Sequence, residues 1–137
     1  MASPAFKLVE QLLEDYPHYD KEITKRKLAL AYPVREVDEN IGGSHVSSNT
    51  SVQERYVVTL DQDSRIRMLE KQQKVIGKCL MTLSEEELKV IRLRYFHGGK
   101  PMKWEDVAQK SLYSKSQCLR IRNDLVNEIG RKLDLMD

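Results

Sequence analysis

Apolar residues recur along this chain at intervals of three and four, the period of amphipathic helices. Phe6, Val9, Leu12 and Leu13 mark a first helix. Ser3 and Pro4 supply its N-cap hydroxyl and N1 proline. The stretch "DYP", residues 15–17, closes it, because the residue before a proline is driven away from α geometry. The spacing predicts a second helix over residues 18–32, with Ile23, Leu28, Ala29 and Tyr32 as its apolar positions and Pro33 as its stop. Together the two predict an N-terminal helical hairpin.

The period then disappears. Residues 33–51, "PVREVDENIGGSHVSSNTS", carry Gly42-Gly43 and a Ser/Asn/Thr cluster, the composition of an extended connector. At this length the segment is either a linker or a strap over another element. The Gly pair permits close backbone approach or positive φ, for a tight strap or a partner contact. Ser51 and Glu54 have the spacing of a capping box. A long helix is expected from there to Leu83, with Ile66, Leu69, Ile76, Leu80 and Leu83 on one stripe and candidate breaks at residues 62–64 and at Gly77. About 30 residues of helix span about 45 Å. Such a stripe serves either as core or as a surface for self-association.

A second capping box, Ser84 with Glu87, opens the next helix, where the acids of the first turn suit its dipole. Leu88, Ile91 and Tyr95 form its buried stripe, Arg92 and Arg94 are expected outside, and Gly98-Gly99 end it. Then comes "WEDVAQKSLYSKSQCLRIRNDL", residues 104–125. A helix-turn-helix unit needs a small residue where its second helix crosses the first, and buried apolar residues three apart on the second. Val107-Ala108 supply an apolar and a small residue, Tyr113 the apolar residue of the turn, and Cys118 with Ile121 the buried pair, continued by Leu125 and Ile129. Ser114 is placed to cap the second helix. The turn position that is commonly glycine holds Leu112, which implies a connection without a left-handed residue or one residue longer.

The polar residues between these buried positions are donors suited to base edges and phosphates. The candidate DNA-contacting residues are Lys103, Trp104, Ser114, Lys115, Ser116, Gln117, Arg120, Arg122 and Asn123. Gln117 and Arg120, three apart, share one face; Gln suits adenine and Arg suits guanine in the major groove. Lys103 and Arg122 flank the two helices as expected phosphate contacts.

Composition narrows the field. Of 137 residues, 40% are hydrophobic, 32% charged and 7% aromatic, and Gly and Pro are sparse, which favours an all-α globular protein. No apolar run is long enough for a membrane span, and the start has no leader pattern, so a cytoplasmic location is expected. The net charge of +2 is uneven: residues 89–137 hold eleven Lys and Arg against six Asp and Glu, and the rest holds twelve against fifteen. A basic C-terminal part suits a polyanion. Cys79 and Cys118 lie far apart within helical patterns and are expected as free buried thiols. His18, His45 and His97 are scattered, and no His/Cys/carboxylate cluster has metal spacing. No cofactor motif, Walker lysine or HExxH occurs, so neither a cofactor nor an enzyme is expected.

Residues 82–133 resemble sigma-factor region 4, with "EEELKVIRLRYF" as the leading helix, "WEDVA" opening the next, and a last helix running into "IGRKL". With "EDYPHYDKEI" and "ENIGGSHVSSNTS" before them in order, the chain resembles the RinA-type phage transcriptional activators. The resemblance implies a DNA-binding activator of phage late genes that works with host RNA polymerase in the bacterial cytoplasm, its double-stranded target lying in a late promoter region. The expected division is 1–50 for hairpin and connector, 51–83 for a long connecting or dimerising helix, and 84–137 for the DNA-binding helix-turn-helix. The alternatives are the DNA-recognition subunit of a phage packaging terminase and a stand-alone sigma-like factor. Ring assembly would mark the terminase subunit, whereas an activator is expected as a monomer or homodimer.

Overall fold

The computed structural model describes residues 3–31, 48–98 and 100–136, and for 48–62 the backbone alone. All regular structure among them is helical: α1 Pro4–Asp15, α2 Tyr19–Ala31, α3 Ser48–Met81, α4 Glu85–Tyr95, α5 Trp104–Lys110 and α6 Lys115–Lys132. The all-α class expected from the sequence is borne out. Tyr32, Pro33, His45, the connector motif at residues 40–43, and the side chains of Ser51 and Glu54 lie outside the described residues. No helix among the described residues is long and apolar enough to cross a membrane.

The helix starts follow their caps. Ser3 Oγ accepts the Phe6 N–H at 3.1 Å, and Pro4 follows it at N1. α1 ends at Asp15, and Tyr16–His18 form one 3-10 turn. Ser84 and Glu87 form the expected capping box: Ser84 Oγ accepts the Glu87 N–H at 3.2 Å, and Glu87 Oε1 accepts the Ser84 N–H at 2.9 Å. Each such cap contributes about 1 kcal/mol. Gly98 takes φ +82 after α4, a conformation that a Cβ would resist.

Two features of α3 differ from expectation. Its described part begins at Ser48, ahead of the expected start at Ser51. It also runs unbroken through residues 62–64 and Gly77. Gly77 has a packing reason instead: a Cβ there would stand 3.1 Å from the Tyr16 hydroxyl. At 34 residues α3 is about 51 Å long.

The chain forms two compact units, residues 1–18 with 72–137, and residues 19–71. α1 and α2, expected as a hairpin, fall in different units. In the second unit Tyr19, Ile23, Ile66 and Leu69 are buried, and Lys27 Nζ pairs with Glu70 Oε2 at 3.0 Å. Leu28 and Ala29 were expected inward on α2 but are exposed. Tyr19 and Ile23, four apart, set the buried face, and Leu28 lies five residues further on, off that face.

In the first unit α1 packs on α6 and α4, and α5 packs on α6 and α4. Val9, Leu13, Ile76, Val90, Ile91, Val107, Val126 and Ile129 are fully buried there. Each such side chain contributes roughly 1.5–3 kcal/mol. Leu83 follows the end of α3 and is half-buried.

Cys79 and Cys118 are free and buried, as expected. Burial, and secondarily Glu128, raises the Cys79 thiol to about 11. The unfolded thiol ionises from about pH 9 while the folded one stays protonated, so stability is full below that value and falls as the pH rises towards 11. We expect neither thiol to react with a soluble alkylating reagent at neutral pH until denaturant unfolds the chain. Mass spectrometry of the alkylated protein, native against unfolded, checks this; rapid labelling of Cys79 in the native protein would show the burial to be wrong.

Candidate nucleic-acid interface

α5 and α6 are joined by residues 111–114. Ser111 is extended, at φ −113 and ψ −177, and its Oγ accepts the Tyr113 N–H at 3.2 Å. No residue of this turn has positive φ, as its lack of glycine implied. Leu112 is 81% exposed, so the turn presents an apolar side chain at its surface.

α6 starts on a full capping box. Ser114 Oγ accepts the Gln117 N–H at 3.2 Å, and Gln117 Oε1 accepts the Ser114 N–H at 2.9 Å. The capping role of Ser114 was expected; the reciprocal part of Gln117 was not. Along α6, Cys118, Ile121, Leu125, Val126 and Ile129 are buried, while Ser116, Gln117, Arg120 and Asn123 are exposed. At 100° per residue these exposed residues occupy the side opposite the buried ones. Four of the candidate residues thus form one outward polar strip, which also carries the exposed Asp124.

The remaining candidates lie elsewhere. Lys103 is exposed at the N-cap of α5, and its side chain makes no capping bond. Lys115 Nζ pairs with Glu105 Oε2 at 3.1 Å across the turn. A backbone N–H and then Lys115 hold the Glu105 carboxyl below its usual range. Trp104 and Arg122 face inward, into a joint between helices.

That joint centres on Glu10 of α1. Its Oε2 accepts the Tyr95 hydroxyl at 2.6 Å and lies 3.6 Å from Arg122 Nη1. Burial first, and Glu10 second, push ionisation of Tyr95 well above the ordinary phenol range. The Arg122 guanidinium lies 5.1 Å from the Phe6 ring centre and 5.3 Å from that of Trp104, with Nε donating to Asn123 Oδ1 at 2.8 Å. Only 20% of its side chain is exposed, so Arg122 does not stand on the polar strip with Arg120. Its position explains this: it lies four residues after Cys118 and three before Leu125, on the buried side of α6.

Arg94 is likewise not exposed as expected. Its guanidinium lies 4.9 Å from the Trp104 ring centre and donates to the Met102 carbonyl. Its position three residues after Ile91 and four after Val90 puts it beside the buried stripe of α4. Tyr95 meets Trp104 edge-on, with ring centres 6.3 Å apart.

Glu10 was the residue that sequence reasoning missed. A signal was present, since it follows Val9, lies four after Phe6 and three before Leu13, and so occupies the edge of an apolar face. An acid in that place calls for a partner on the element it packs against.

The family described as "Protein of unknown function (DUF722)" matches residues 6–131. The "Transcriptional activator rinA" of Staphylococcus phage phi11 is 26% identical over 125 residues, covering 91% of this chain and 87% of that protein. The RinA-type resemblance read from the motifs is borne out by these two matches. No solved structure matches the chain. The family match runs from α1 through nearly all of α6, and the chain belongs to the DUF722 family.

Proposed function

We propose that this protein is a sequence-specific DNA-binding activator of transcription, with α5 and α6 as its helix-turn-helix and α6 entering the major groove. The observation that carries the reading is the division of α6 into a buried apolar side and an outward strip of Ser116, Gln117, Arg120 and Asn123. Amide, hydroxyl and guanidinium groups on one helix face are the types that contact base edges. Similarity to a phage transcriptional activator over most of both chains supports the activator role. In this reading the targets are phage late promoters, and the partner is host RNA polymerase. α1 belongs to the DNA-binding unit with α4, α5 and α6, and residues 19–71 serve assembly or polymerase contact.

Selection from a random duplex pool with the purified chain tests the reading. A defined motif is the expected result; recovery of unenriched sequence would remove it. Two substitutions then separate base contact from backbone contact. Arg120→Ala is expected to relax discrimination at one or two positions of the selected site, where a good bidentate pair is worth about 1–3 kcal/mol. Lys103→Ala is expected to weaken selected and random duplex alike and to flatten the salt slope by roughly one unit. Competition titrations at several salt concentrations measure both. Equal losses on both duplexes for Arg120→Ala would place that side chain on phosphate.

A further inference from the structure

Asp124 is set apart from the other exposed acids of the helices. Asp20, Glu85, Glu86, Glu105 and Asp106 stand in first turns, where a negative charge suits the helix dipole. Asp63 pairs with Arg67 at 3.2 Å and Glu70 with Lys27 at 3.0 Å. Asp124 is the tenth of the eighteen residues of α6, far from its start, and forms no ion pair among the described residues. Aspartate is also a poor helix former in a helix interior. Neither a cap, the dipole nor an ion pair ties this side chain to the fold.

Its place on α6 is the outward strip. Asp124 follows Gln117 by seven residues and Arg120 by four, so around the helix axis it stands within about 20° of the first and about 40° of the second. Arg120 lies one turn away yet does not pair with it. The cation precedes the acid there, the less favourable order across a helical turn, and both side chains are left to reach outward. Ser116, Gln117, Arg120 and Asn123, the rest of the strip, are neutral or basic. Against a duplex, an acid among them is repelled by the phosphates and is accommodated only where it meets a hydrogen-bond donor.

We propose that Asp124 is a specificity-determining residue that selects cytosine in the major groove, by accepting a hydrogen bond from the N4 amine of that base. The proposal rests on the DNA-binding reading above. Among the base edges in that groove, only cytosine and adenine carry amine donors. In adenine the amine lies beside N7, an acceptor that repels the second carboxylate oxygen; in cytosine no acceptor stands beside it on the same base. Four residues of helix advance about 6 Å, against about 3.4 Å per base pair. The cytosine thus lies one or two steps from the base that Arg120 contacts. The same charge weakens binding to DNA that places no amine there, so Asp124 lowers affinity for random sequence while it raises discrimination.

The test uses the full chain and the site selected from the random duplex pool. The wild type is expected to prefer cytosine at one position by about five- to tenfold over the other bases. Asp124→Ala is expected to melt no lower than the wild type, to lose that preference, and to gain affinity for random duplex. Asp124→Asn, whose amide suits adenine, is expected to shift the preference at the same position from cytosine to adenine. N4-methylcytosine placed there blocks the groove-facing hydrogen; it is expected to weaken the wild type about five- to tenfold and to leave Asp124→Ala unchanged. If Asp124→Ala discriminates at every position as the wild type does, or if the methyl group costs both proteins equally, Asp124 does not read cytosine and the proposal is overturned. If the pool yields no enriched sequence with the wild type, the DNA-binding reading itself falls; an enriched motif indifferent to Asp124 sinks this proposal alone.

Discussion

A chain that begins at residue 19 is expected to lose the cooperative fold of α4, α5 and α6. α1 packs against α6 and α4, where Val9 and Leu13 are 0% exposed and Leu12 is 9% exposed. At roughly 1.5–3 kcal/mol for each buried side chain, removing these three forfeits about 5–9 kcal/mol, an upper estimate because the unfolded chain is partly compact. Whole domains are stable by only about 5–15 kcal/mol. The deletion also leaves the Tyr95 hydroxyl and the half-buried Arg122 without Glu10. From sequence, residues 84–137 look self-sufficient, with their own cap, stops and stripes; the packing of α1 predicts otherwise. Near-ultraviolet circular dichroism and urea unfolding of the truncated chain decide between these. A sharp transition near the wild-type midpoint would show that α1 is dispensable.

The second large effect separates two arginines that lie two positions apart. Arg122→Ala removes two cation–π contacts and the cation beside Glu10, both side chains being about one-fifth exposed. Cation–π contacts contribute about 0.5–2 kcal/mol each. Leaving a carboxylate with one partner fewer adds to the loss, so about 2–3 kcal/mol is expected overall. Arg120→Ala, on the exposed side, should change stability by less than about 0.5 kcal/mol. The chain has a single tryptophan, Trp104, and Arg122 lies over its ring. Its fluorescence therefore follows this joint in a urea titration, and a shifted emission in native Arg122→Ala is part of the expected result. Equal midpoints for the two variants would mean that the joint contributes nothing to stability.

Much of the fold was legible because it depends on local signals. Ser3-Pro4, Ser84 with Glu87, and Ser114 announced their helix starts through spacing alone, and Cys118, Ile121, Leu125 and Ile129 announced the buried side of α6. The misplacements share a cause. Arg94 and Arg122 were judged by charge and Glu10 was passed over, whereas their positions set them at the edges of buried stripes, and whether a charged residue there turns inward depends on a partner from another helix. Glu10 and Tyr95 are 85 residues apart in sequence, and no periodicity within either helix reveals that they meet.

The cap on α6 sets what Gln117 has left to offer. Its amide oxygen accepts the Ser114 N–H at 2.9 Å through one of its two lone pairs, so one acceptor site and both amide hydrogens stay available. In the proposed groove contact the side chain would meet a base already aimed by the cap, and would lose less rotational freedom on binding than an untethered glutamine. One hydrogen bond then serves both the start of the helix and the aim of the side chain.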